Sequence, residues 1–142
     1  MNVKKSIILT VFICGILSAY VYSSYFYDIK YEKLEDLEKY LIDHDIFYTS
    51  KPIESKYSLD IAKEQRLYEI KGKDIYVYIV NESEIDEADY RISNEILGSD
   101  YVVATTNIFI FAYTDTDLEK FQKTLSSIIT EIRKSEKNVD LE

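Results

Sequence analysis

Apolar residues recur along this chain with two periods. In residues 28–43, Tyr31, Leu34, Leu37 and Leu41 fall three and four positions apart, and Glu35 with Lys39 makes a favourable i,i+4 pair, so the segment predicts a helix. Residues 46–56 hold the only proline, Pro52, and predict a loop. Tyr57, Leu59 and Ile61 alternate. Residues 67–70 and 75–80 then form apolar, β-prone runs around Lys71-Gly72-Lys73-Asp74, a hairpin turn with Gly where a positive φ is needed, and give the first two strands. Asn81 and Glu84 have capping-box spacing ahead of Ile85, Ala88, Ile92 and Ile96 on one helical face, with Gly98 as the stop. Residues 101–105 and 108–113 predict the third and fourth strands, broken at Thr106-Asn107. Thr116 and Glu119 open a last helix with a stripe of Leu118, Phe121, Leu125, Ile128, Ile129 and Ile132. Asp115 and Asp117 at its start, and Arg133 and Lys134 at its end, complement the helix dipole.

The first 27 residues follow another rule: Lys4 and Lys5 are the only charges, and residues 6–27 are 22 uncharged positions in a row. As a helix that run is about 33 Å long, against a hydrocarbon core of about 30 Å. Three fates fit it: a cleaved secretory signal, a lipoprotein signal and a retained anchor. Cys14 follows Val11, Phe12 and Ile13 rather than a small residue, which disfavours lipidation. Val21 and Ser23 offer a tolerable cleavage site. The cluster Tyr20, Tyr22, Tyr25, Phe26 and Tyr27 suits the headgroup layer and favours the anchor. Lys4 and Lys5 then keep the N-terminus in the cytoplasm and send the rest outside, a single-pass arrangement at the cell membrane.

The predicted architecture is α+β: an N-terminal transmembrane helix, then α-ββα-ββα with a four-stranded antiparallel sheet. Its divisions are residues 1–27 as anchor or uncleaved signal, 28–134 as exported domain and 135–142 as flexible tail. Four strands make a sheet about 19 Å wide, which two helices of about 10 Å cover, so the first helix is left for part of the second face or one end.

Charge changes the functional picture. Without Lys4 and Lys5, 15 bases face 26 acids, a net charge of −11. Such a domain is repelled by nucleic acid and by anionic lipid, and suits a basic partner protein or simple solubility. One Cys and one His exclude an intramolecular disulfide, a zinc finger and a His-pair metal site. No cofactor is implied.

Asp43-His44-Asp45 sets the only His between two acids and predicts a solvated helix end. Asp115 to Glu119 starts like a calcium loop but has Lys120 in place of Gly and Ser126 in place of the bidentate Glu, so it predicts a helix N-terminus. Carboxylate pairs are abundant and none stands out, and no phosphate loop, nucleophile elbow or Cys-His couple is present. No catalytic residue is therefore named. Glu82, Glu84, Asp86, Glu87 and Asp89 crowd the opening of the second helix, a dipole-stabilised solvated face with a minority role as docking surface. The strands of residues 75–80 and 108–113 are apolar on both faces, so the helices cover both or an aromatic face is left for a partner. The candidate partner surface is Glu82, Glu84, Glu87, Tyr76 and Tyr78.

Residues 74–81 (DIYVYIVN), the opening Glu82-Ser83-Glu84, residues 107–113 (NIFIFAY) and the closing helix resemble small exported proteins of low-GC Gram-positive bacteria that carry an N-terminal anchor or lipoprotein signal. The resemblance spans residues 57–132 and brings no catalytic residue; the chain departs from lipoprotein members in lacking a lipobox. Those proteins have no known function, and the function expected from the residues themselves is a non-catalytic, membrane-anchored exported domain with a binding or accessory role at the cell envelope. The alternative is an acidic immunity or inhibitor protein directed at a basic toxin or wall hydrolase.

Overall fold

The computed structural model describes residues 30–140. Its elements are α1 (Leu34–Asp43), β1 (Tyr48–Lys51), β2 (Glu64–Ile70), β3 (Lys73–Ile79), α2 (Ile85–Arg91, extended by a π-turn Ile92–Ile96), β4 (Tyr101–Thr105), β5 (Phe109–Thr114) and α3 (Glu119–Val139). The sheet is antiparallel throughout, in the order β1-β2-β3-β5-β4. The α+β class holds, but the sheet has five strands rather than four. The predicted transmembrane helix fails as part of this fold: among the described residues no helix is long and apolar enough to cross a membrane. Residues 6–27, Cys14 among them, lie outside the described residues.

The added strand is β1, inside the segment expected to be a loop. Only Tyr48 and Ser50 of its four residues turn inward, and only to half-burial. It is a strand because Tyr48 to Lys51 pair with Ile70 to Leu67 of β2. Pro52 then ends it, since proline cannot donate to a ladder.

The β2–β3 hairpin is closed by Lys71 at φ 52° and Gly72 at φ 77°, with Ile70 opposite Lys73. Two successive positive φ values make the turn that matches strand twist, and Asn-Gly is its preferred pair. Gly72 is at home there, whereas Lys71 is strained by its Cβ. Lys71→Asn is expected to stabilise the domain by about 0.5–1 kcal/mol, read as a higher urea midpoint at unchanged m-value.

Side chains alternate across the sheet into two cores. Tyr68, Ile70, Ile75, Val77, Ile79, Phe109 and Phe111 meet Leu37 and Leu41 of α1 and Phe121, Leu125, Ile128 and Ile132 of α3. Leu67, Tyr76, Tyr78, Ile110 and Ala112 meet Ala88 and Ile92 of α2. Helix α1 is thus not a cover for the second face: it shares the first face with α3. Two bonds fix it over β2, Leu34 N donating to Glu64 Oε2 at 3.0 Å and Tyr68 Oη donating to Glu38 Oε1 at 2.8 Å.

The second face is completed by irregular chain. Leu59 is fully buried there, with Ile53, Tyr57, Ile61 and Ala62 packed around it. Gln65 holds this strap, its Oε1 accepting from Leu59 N and its Nε2 donating to Ser58 Oγ, both at 2.8 Å.

The helix ends also differ from the expectations. Helix α1 starts at Leu34, because Asp36 Oδ2 accepts from both Glu32 N and Lys33 N at 2.9 Å and stops the chain winding earlier. Helix α3 runs through Ser135 to Val139, where a tail was predicted; Arg133 and Glu136 pin this last part to the β4–β5 turn.

Candidate functional site

The opening of α2 is the acidic feature that the sequence singles out. Its inner side is anchored by Ala88 and Ile92, both fully buried. A short turn at Glu82–Glu84 precedes it, in which Glu84 N donates to Asn81 O at 2.9 Å and Asn81 Nδ2 donates to Glu84 Oε2 at 2.7 Å. The helix leaves through the π-turn, with Leu97 N bonded to Ile92 O and Gly98 at φ 85°.

The acids here are not equivalent. Glu82, Asp86 and Glu87 are exposed, while Glu84 and Asp89 are half-buried. Glu84 is held by Asn81, and Asp89 Oδ1 accepts from Ser93 Oγ at 3.2 Å. Arg91 is the counter-charge: its guanidinium lies 2.8 Å from Asp60, 3.8 Å from Glu87 and 3.7 Å from Glu95. The Arg91 hydrogen bond holds the Asp60 carboxyl below the usual carboxylate range. Arg91 thus ties the strap of the second face to α2 and partly neutralises Glu87. Among the described residues Glu82 and Asp86 have no basic partner. Tyr90, one turn on, is 63% exposed.

The other half of the expected surface lies beneath this helix. Tyr76 is 9% exposed and Tyr78 fully buried, so neither is presented to a partner with Glu82, Glu84 and Glu87. Tyr57 and Tyr101 pack edge-on against Tyr76 at 5.5 and 5.9 Å between centroids. Tyr78 Oη donates to Tyr57 O at 2.8 Å. Burial pushes the Tyr76 phenol up to about 12 and raises that of Tyr78 as well. These two tyrosines correct the sequence reading: they are core residues, and the Tyr78 hydroxyl is hydrogen-bonded within the fold.

Asp43-His44-Asp45 closes α1 as a backbone cap. Ile46 N donates to Leu41 O at 2.8 Å and Asp45 N to Ile42 O at 3.1 Å, with Asp45 at φ 54°, which is a Schellman motif. The His44 ring stacks on Tyr40 at 3.9 Å and its Nδ1 lies 2.9 Å from Tyr40 O. Among the described residues no group of three or more His, Cys, Asp or Glu converges on a metal position.

Two features escaped the sequence. A cleft of about 360 Å³ lies between the β4–β5 turn and the end of α3, lined by Thr105, Thr106, Asn107, Arg133, Glu136, Lys137 and Asp140. Its polar groups serve the fold: Arg133 Nη2 donates to Thr105 O at 2.8 Å, and Asn107 N donates to Glu136 Oε1 at 2.9 Å. The second is a pair of exposed apolar side chains at the end of α1, Ile42 at 64% and Phe47 at 83%. Periodicity marks what faces a core and carries no signal for an apolar residue held outside one.

Comparison with protein-family models, curated proteins and solved structures returns no match.

Proposed function

We propose that this chain is a non-catalytic binding domain that acts outside the cytoplasm at the cell envelope, through contact with a basic partner protein. The observation that carries this reading is the outward side of α2, where the exposed Asp86 and Glu87 lie one turn before the exposed Tyr90 and the exposed Glu82 stands in the turn that precedes the helix. An exposed aromatic in a charged surround has the composition of an interface anchor with a steering rim. The helix presents it rigidly, since its opposite side is locked in the second core. The net charge of −11 beyond residue 27 adds a long-range field of the same sign. The extracytoplasmic location rests on the uncharged run of residues 6–27 behind Lys4 and Lys5.

Affinity capture with the full chain tests this. Wild type should retain a basic protein from envelope extracts at low salt. The triple variant Glu82→Gln, Glu84→Gln, Glu87→Gln should retain it several-fold less, with an unfolding temperature shifted by no more than about 2 °C. Equal retention by both, or hydrolysis of purified peptidoglycan by the wild type, counts against the proposal.

A further inference from the structure

We draw no further inference here: the strongest candidate, the side-chain cluster of Asp60, Glu87 and Glu95 about the Arg91 guanidinium where the strap of the second face meets α2, is a set of acids already paired within the fold, and nothing in the structure shows a ligand that would take the guanidinium's place.

Discussion

A Val77→Asp variant is expected to lose about 4 kcal/mol of stability, a large share of the roughly 5–15 kcal/mol that holds a domain folded. Val77 lies on β3 with a hydrogen-bonded neighbour on each side, opposite Arg66 of β2 and Phe111 of β5. Its side chain is 1% exposed, in the core beneath α1 and α3. Replacing it forfeits about 1.5–3 kcal/mol of apolar burial. It also brings a carboxylate into a core of apolar side chains, a desolvation cost of several kcal/mol that the cross-strand Arg66 offsets only in part. The matched control is Val102→Asp, on edge strand β4 at 37% exposure, which should cost under about 1 kcal/mol. Urea unfolding followed by circular dichroism separates the two. Similar midpoints for both variants would show that β3 is not the centre of the sheet.

Alkaline pH is expected to unfold the domain over a narrow range just above the ordinary tyrosine pKa. Tyr31, Tyr68, Tyr76 and Tyr78 are each 9% exposed or less, and burial raises all four phenols. At Tyr68 the hydrogen bond donated to Glu38 adds to the effect of burial, since the phenolate has no proton to donate. The neutral phenol is the form that the fold tolerates, so folded tyrosines keep their protons to higher pH than unfolded ones. Their contribution is complete below about pH 10, the unfolded value, and is lost as pH rises towards the folded values, about 12 for Tyr76. Each raised tyrosine removes about 1.4 kcal/mol per pH unit in that window, so four together remove about 5 kcal/mol per unit. Tyrosinate absorbance and helical circular dichroism should change together within about one to two units above pH 10. Gradual ionisation of every tyrosine near pH 10 with the helices intact would contradict this burial.

Much of this architecture is legible in the amino acids because its central elements carry strong local signals. β3 and β5 are continuous apolar runs and lie side by side at the middle of the sheet. The Lys71-Gly72 turn, the break at Thr106-Asn107 and the Gly98 stop all sit where turn chemistry puts them. What escapes is what depends on tertiary partners. Tyr48-Thr49-Ser50-Lys51 has no apolar run and is a strand only by pairing with β2. Leu59 belongs to no regular element, yet it is fully buried and helps to close the second face. That closure frees α1 to join α3 on the first face, and it also converts Tyr76 and Tyr78 from candidate partner residues into core. Of the candidate surface, Glu82 and Glu87 are exposed, as charge at a helix opening leads one to expect, because it is a local property. Phe47 could not be found by pattern, since an exposed aromatic looks like a buried one in sequence.

The salt dependence of partner binding tests the central claim most directly, because steering by exposed carboxylates is screened within a Debye length of about 8 Å at physiological ionic strength. The protein retained by wild type should be titrated against wild type and the Glu82→Gln, Glu84→Gln, Glu87→Gln variant at rising salt. Wild-type affinity should fall with salt, the variant should start weaker and fall less, and the two should converge at high salt. Parallel curves, or equal affinities at every salt concentration, would contradict contact through the acidic side of α2.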